Sequence, residues 1–301
     1  MRRRRLILRA QVVEALRAWF RSRGFVEVQT PILVGAPAPE PEIDAFAVAG
    51  AGYLAPSPEL AMKRLLAEGF DRIFQLGPVF RRGERGGRHL PEFTMLEWYR
   101  AGADYHALMA DCEAVLPVAA RAAGHPGTEV HFGGRVVDLA PPYPRLPVRE
   151  AFRRLAGWEP GADPDPWRFD HDMVERVEPA LDAGRPVFLV DYPASRAALA
   201  RLKPGDPAVA ERVELYAGGL ELANGFSELT DPAEQRRRFA RDRERRRRAG
   251  LDPYPMPEAF LEALGAVPAC AGMALGVDRL LMLLLDCPEI DGVVAFAPGA
   301  A

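Results

Sequence analysis

Between Arg72 and Arg100 the chain reads RIFQLGPVFRRGERGGRHLPEFTMLEWYR: an apolar run, a loop of arginines and glycines, and a second apolar run. Gly83, Gly86 and Gly87 let a backbone come close to a ligand, while Arg81, Arg82, Arg85, Arg88 and His89 bring donors and positive charge suited to phosphate oxygens. Alternation in FTMLEWYR puts Phe93, Met95, Glu97 and Tyr99 on one face of a strand and Thr94, Leu96 and Trp98 on the other, so one face can line a pocket. From composition alone the segment reads equally well as a hairpin with a basic, solvated tip. A distant element decides between the two. AGMALGVDRLLMLLLD sets Gly272 and Gly276 on a short apolar strand leading into Asp278, Arg279 and a leucine-rich helix. Small residues beneath a flat ligand, with an arginine at a helix start, suit a nucleotide, although a strand glycine by itself also marks a bulge or tight packing.

The remaining elements must hold these groups. Val12, Val13, Leu16, Trp19 and Phe20 recur at helical spacing, which predicts a helix over Ala10–Arg23, stopped by Gly24 before a strand at Phe25–Val28. Gly35–Glu42 reads as a loop, and Pro58–Glu68 as a helix with Ser57 as its N-cap. Strands are expected at Ile73–Phe80, Phe93–Tyr99, Val187–Asp191 and Val213–Leu222, the last interrupted by a turn at Ala217-Gly218-Gly219. Helices are expected at Tyr105–Ala123 and Pro232–Ala249, and a final strand and helix over Cys270–Leu285. The segment around 117–186, rich in Pro and Gly, reads as a loop-rich insertion. Strands that neighbour through hairpins, with helices at the flanks, predict an antiparallel α+β domain over residues 1–301.

Composition narrows the function. At 301 residues and 49% hydrophobic content the chain can bury a sizeable core, and a net charge of −3 gives no global field for nucleic acid. Cys112, Cys270 and Cys287 lack metal-ligand spacing and read as reduced and structural. The apolar run after MRRRR is too short for a signal core, so a cytoplasmic protein with no membrane contact is expected. Asp242 and Glu244 interrupt the run RRRFARDRERRRRAG, which reads as a solvated helix face; docking of an acidic partner is the alternative. Glu221 and Glu228 read by themselves as surface carboxylates, but opposite a triphosphate they become candidate Mg²⁺ ligands.

Taken in order, Gly24–Pro31, Arg72–Arg100 and Gly272–Arg279 resemble motifs 1, 2 and 3 of the class II aminoacyl-tRNA synthetases. YLAPSPELAMKRLL, PEFTMLEWYR and LELANGFSELTD are similar to lysyl-tRNA synthetase, and together with VDYPASRAALARL closer still to its short paralogue, the ligase that attaches a lysine-type amino acid to elongation factor P. The resemblance implies ATP and Mg²⁺ as cofactors and an aminoacyl adenylate as intermediate. It assigns Arg81 to the α-phosphate, His89 and Arg279 to the outer phosphates, and Phe93 to adenine, although an aromatic on a strand more often packs inward. Arg82, Gly83, Glu84, Leu90, Leu222 and Gly276 complete the implied ATP site. Glu221 and Glu228 become metal ligands, with Glu228 also reaching substrate amines. Ser57, Glu59, Tyr99, Glu228 and Ala274 form the implied amino acid pocket. A diamine needs separated carboxylates and an aromatic wall for its stem.

The chain departs from the family in three places. Arg81-Arg82-Gly83 stands where Arg-x-Glu is usual, with Glu84 one place late; Leu90 replaces a common Asn; Ala274 replaces the middle glycine of Gly-x-Gly-x-Gly, as in the elongation factor P ligases. Only a short helix precedes motif 1, leaving no room for an anticodon-binding barrel, so elongation factor P rather than tRNA is the expected acceptor, (R)-β-lysine or lysine the substrate, and a homodimer through motif 1 the expected assembly. The alternatives are a truncated synthetase acylating tRNA or a small amine, and a catalytically silent binding module.

Overall fold

Val12, Leu16 and Phe20 are fully buried at four-residue spacing, and Phe20 packs against Phe74 and Trp98 with ring centroids 5.1 Å apart. In the computed structural model, which describes residues 2–181 and 184–297, they lie on α1 (Arg2–Ser22), longer at its N-terminal end than expected. Gly24 at φ +77° then turns the chain into β1 (Val26–Glu27). β2 (Leu33–Val34), β3 (Ala47–Val48) and β4 (Gly52–Leu54) form a small separate sheet, followed by α2 (Glu59–Ala67). The arginine loop joins β5 (Arg72–Phe80) to β6 (Glu92–Ala101), and α3 (Tyr105–Ala122) follows.

The segment expected to be loop-rich is more ordered than its composition suggests. It holds the end of α3, the hairpin β7 (Glu129–Phe132) and β8 (Arg135–Asp138), the edge strand β9 (Arg145–Pro147), α4 (Val148–Leu155) and α5 (Pro166–Asp172). Each element is too short to show a period, and tertiary burial fixes it: Phe152 stacks on Phe169 at 4.7 Å. β10 (Val187–Pro193), β11 (Leu202–Lys203), β12 (Asp206–Ala217) and β13 (Leu220–Ser227) continue the chain, with the expected turn at Gly218-Gly219. α6 (Pro232–Arg248), α7 (Glu258–Leu264), β14 (Cys270–Gly276) and α8 (Val277–Leu284) end it.

The main sheet runs β1-β5-β6-β14-β13-β12-β10-β9, with β11 added on β12. Its centre is antiparallel, but β1 on β5 and β9 on β10 are parallel, so the sheet is mixed rather than purely antiparallel. Those two edges are reached through crossovers instead of hairpins. Trp98 and Leu96 face a core shared with α1, α3 and α8, while Ile73 and Tyr99 face one shared with α2, α6 and α7. The alternation read in β6 therefore separates the two layers, and the site opens on the Tyr99 side.

The arginine run on α6 is not simply a solvated face. Arg246 is fully buried: it donates to the Glu40 carbonyl at 2.9 Å and the Ile43 carbonyl at 3.0 Å, pairs with Asp44 at 2.5 Å, and stacks on Tyr254 at 4.0 Å. Arg238 donates to the Ala198 and Ala200 carbonyls. Among the described residues Arg247 and Arg248 pair only with Glu244 on their own helix. Arg238, Arg243, Arg245 and Arg246 thus stitch loops to α6 and Arg236 pairs with Glu258 on α7, while Arg247 and Arg248 behave as the interleaved charges predict.

Candidate active site

β6, β14, β13 and β12 lie side by side and form the floor of a cavity of about 380 Å³. Phe93, Met95, Glu97 and Tyr99, the face picked out by alternation, all line it, as do Ala274 and Gly276. The cavity has a basic end and an acidic end.

At the basic end, Arg81 leaves β5 with its guanidinium 5.2 Å from the Phe93 ring centroid, and Glu84 lies 3.7 Å from it. Arg279, in the first turn of α8, donates to the Glu221 carbonyl at 2.9 Å and to its carboxylate at 3.1 Å, and meets His89 Nε2 at 2.5 Å. Burial and then the Arg279 charge hold the His89 imidazole below its ordinary pKa, so it serves as a neutral hydrogen-bonding group rather than a cation. Asp278 fixes this corner by accepting from Arg9 at 2.5 Å and from the Thr94 amide at 2.6 Å, which ties α8 to α1 and β6.

Two residues assigned to the nucleotide turn away from it. Arg82 pairs with Asp44 at 2.7 Å and its amide donates to the Asp44 carbonyl at 2.6 Å, so it holds the loop before β3 and does not line the cavity. Gly83 at φ +83° provides the turn that redirects the backbone, and does not line the cavity either. Leu90 and Leu222 are 2% exposed and contribute apolar wall.

At the acidic end, Glu97 accepts from Ser57 Oγ at 2.8 Å and from Tyr99 Oη at 2.6 Å. Ser57 also accepts from the Glu59 amide at 3.0 Å, yet Pro58 rather than Ser57 occupies the N-cap position of α2, and Ser57's hydroxyl proton is spent on Glu97. Lys63 Nζ stands 2.5 Å from a carboxylate oxygen of Glu59 and 2.5 Å from one of Glu228. The Glu228 contact is an ion pair off the hydrogen-bonding direction, and both Glu228 oxygens lack a hydrogen-bond partner. The sequence put Glu97 on the pocket-facing side of its strand without giving it a role, and did not mark Lys63 as a site residue. A signal was present for Lys63, one of two lysines in a chain with 39 basic residues, placed four residues after Glu59.

Burial pushes the Glu97 carboxyl up to about 7, with Glu59 adding repulsion, and pushes Glu228 up to about 8 despite Lys63. Lys63 itself is raised: burial would lower it, but Glu228 and Glu59 together prevail. One ammonium cannot compensate three carboxylates out of water, so the cluster retains protons that an arriving cation would expel. Binding of a diammonium ligand at pH 7 should therefore release protons, on the order of one per ligand. Affinity should rise with pH from about 6 to 8 as the raised carboxyls ionise. Titration calorimetry in buffers of different ionisation enthalpy reads the proton count directly; zero release would show that the ammonium groups bind elsewhere.

Glu221 and Glu228 were expected to share a metal. Seven residues apart on an unbroken strand they would face opposite sides, but β13 carries a bulge: Leu215 pairs with Ala223 and Tyr216 with Glu221, leaving Leu222 unpaired. The bulge puts Glu221 on the face of Asn224, Phe226 and Glu228. Even so, Glu228 belongs to the Lys63 cluster, and the near neighbour of Glu221 is Glu214 on β12, whose charge adds to burial in raising the Glu221 carboxyl. Glu214 lines the cavity and was missed, because cross-strand pairing is not visible in sequence. Among the described residues no group of three or more His, Cys, Asp or Glu is placed to hold a metal ion. Both Glu214 oxygens are taken, by Arg212, Tyr192 and Tyr216, so Glu221, with its side chain 40% exposed, is the carboxylate that fits a divalent cation keeping waters and phosphate oxygens as its other ligands.

The profile of the family "tRNA synthetases class II (D, K and N)" matches residues 1–299. The chain belongs to that family. Among curated class II relatives, the elongation factor P–(R)-β-lysine ligase of Vibrio cholerae is 40% identical over 96% of this chain and 93% of its own. The ligases of Pseudoalteromonas translucida and Haemophilus influenzae strain PittGG are 40% and 37% identical, over 96% and 97% of this chain. The chain is thus a class II synthetase homologue of the elongation factor P–(R)-β-lysine ligase group. Arg81, His89 and Phe93, from the stretch expected to be motif 2, and Arg279, from the stretch expected to be motif 3, all line the cavity.

Proposed function

We propose that the protein activates (R)-β-lysine or lysine with ATP and transfers the acyl group to a lysine ε-amine of elongation factor P. The observation that carries this reading is the acidic end of the cavity. Glu59 and Glu228 flank one buried lysine and Glu97 lies near them, held by Ser57 and Tyr99, a charge deficit suited to a diammonium substrate, beside a basic end suited to a triphosphate. The relatives named for the same transfer support it.

In activation the substrate carboxylate is already a nucleophile, so positioning and charge neutralisation supply the rate. Arg81 holds the phosphoryl oxygens where charge builds. Arg279, now tied to Glu221 and His89, receives the departing pyrophosphate. Bound Mg²⁺ would shield the phosphates, held by Glu221 with Glu214 beside it. Phe93, backed by Arg81, offers a ring face to adenine. Tyr99, 2% exposed and fixed through Glu97, walls the methylene stem. Ala274 pairs in register with Glu97, so its methyl occupies the floor beside the amine site, which favours a substrate whose amine is displaced along the stem. Val26, Ile32 and Leu33, exposed around Pro31, support a homodimer through motif 1. Among the described residues no helix is long and apolar enough to cross a membrane.

Exchange of labelled pyrophosphate into ATP should proceed with (R)-β-lysine or (S)-α-lysine and not with neutral amino acids. Purified elongation factor P should then gain one acyl group by mass while total tRNA gains none. Lack of exchange with every diamino acid would favour a silent binding module, and charging of tRNA would favour the truncated synthetase.

A further inference from the structure

The loop between β2 and β3 crosses the rim of the cavity, and on its other side lies a second cavity of about 420 Å³. Glu40, Glu42 and Ile43 of this loop line both. The far cavity is closed by Phe169 and Val174 of the segment after α4, by Ser195 and Arg196 beyond β10, and by Arg241 on α6. Glu40 is held from behind: buried Arg246 grips its carbonyl, the Ile43 carbonyl and the Asp44 carboxylate, and Arg82 grips Asp44 from the motif 2 side. The Glu40 carboxylate itself makes no hydrogen bond or ion pair among the described residues. A rigidly mounted, unpartnered carboxylate at a seam between two cavities has no structural explanation.

Its surroundings locate it on the reaction path. It lines the same cavity as Arg81 and Glu59, and the charges of Glu59, Arg81, Glu42 and Arg212 act on it. In the adenylate the acyl carbon lies, by covalent necessity, between the phosphate at Arg81 and the amine at Glu59, and Glu40 senses both. Resting on the ligase reading, we infer that Glu40 is the proton acceptor of the transfer step, meeting the acceptor lysine as it arrives through the second cavity. The incoming ε-ammonium gives one proton to the Glu40 carboxylate. The freed nitrogen lone pair then forms the C–N bond to the acyl carbon, and the C–O bond to the phosphoryl oxygen breaks with its electrons going to AMP. The amide nitrogen releases its second proton to the AMP phosphate or to water.

Enclosure by protein pushes the Glu40 carboxyl up to about 8, with Glu59 and Glu42 repelling it and Arg81 and Arg212 opposing them. An arriving ammonium favours ionisation, so the carboxylate form that can accept a proton is present when the acceptor is. Nothing in activation requires it, since the substrate carboxylate needs no base.

Single-turnover transfer from preformed adenylate to elongation factor P, followed from pH 6.5 to 9.5, tests this in the intact protein. E40Q should leave pyrophosphate exchange within two-fold of wild type while slowing transfer about 100-fold at pH 7.5. The deficit should narrow to about five-fold at pH 9.5, where the acceptor lysine, with a pKa of about 10.4, supplies more free amine itself. Wild-type transfer by E40Q, an unchanging deficit across pH, or equal losses in exchange and transfer would each overturn the role. Absence of exchange in the wild-type protein would instead overturn the ligase reading beneath it.

Discussion

Lys63→Met should cost about 3–5 kcal/mol of stability near pH 8 and abolish amino acid activation, although Lys63 touches no solvent. The methionine fills the stem's volume, so the loss is electrostatic: Glu59 and Glu228 face one another without the ammonium that now stands 2.5 Å from each. The sign with pH follows from burial. In the variant the Glu228 carboxyl, already raised by burial, loses the ammonium that opposes the rise, so the folded state keeps its stability below about pH 4.5, where the group is protonated in both states. That stability drains away as pH rises through the raised folded value. Urea denaturation should therefore show a small difference from wild type at pH 5 and the full difference at pH 8. Equal midpoints at pH 8 would show that the three-carboxylate cluster does not depend on its lysine. Arginine should not rescue the variant, because its planar fork needs a larger opening than a point charge between two carboxylates.

Gly272→Ala should lower kcat/KM for the amino acid about 100-fold or more, roughly 2.7 kcal/mol of lost transition-state binding, while the KM for ATP changes less than about three-fold. Gly272 sits on β14 between Tyr99 and Phe226 in register. A Cβ there would stand 2.1 Å from Tyr99 Cε1 and 2.7 Å from a Glu228 oxygen. Neither neighbour can retreat cheaply: the Tyr99 ring is 2% exposed with its hydroxyl bound to Glu97, and Glu228 is pinned beside Lys63. The added methyl must therefore push both amine-binding groups out of line. Steady-state kinetics with the two substrates varied separately would reveal the split. A proportional loss in both parameters would place Gly272 in general folding instead of in the amine pocket.

Several of these features were legible in the sequence because they are local. A strand alternates whatever surrounds it, so Phe93, Met95, Glu97 and Tyr99 could be assigned to one pocket-facing side, and all four line the cavity. The turn at Gly218-Gly219, the strand into Arg279 and the loop carrying Arg81 follow from backbone preferences of a few consecutive residues. The α6 arginines were harder. Interleaved acids correctly describe Arg247 and Arg248, but the same pattern hides Arg246, whose partners Glu40, Ile43 and Asp44 lie about 200 residues away.

By itself, then, the sequence determined which residue types were available and which side of each strand they occupied, and through three ordered motifs it determined the family. Tertiary structure alone decided how the carboxylates are divided. A one-residue bulge at Leu222 reverses the parity of β13, strand pairing brings Glu214 beside Glu221, and α2 lowers Lys63 between Glu59 and Glu228. Whether a glutamate is a metal anchor, an amine receptor or a base depends on which charges stand within a few ångströms of it and on how much water they share, and those neighbours are set by long-range packing.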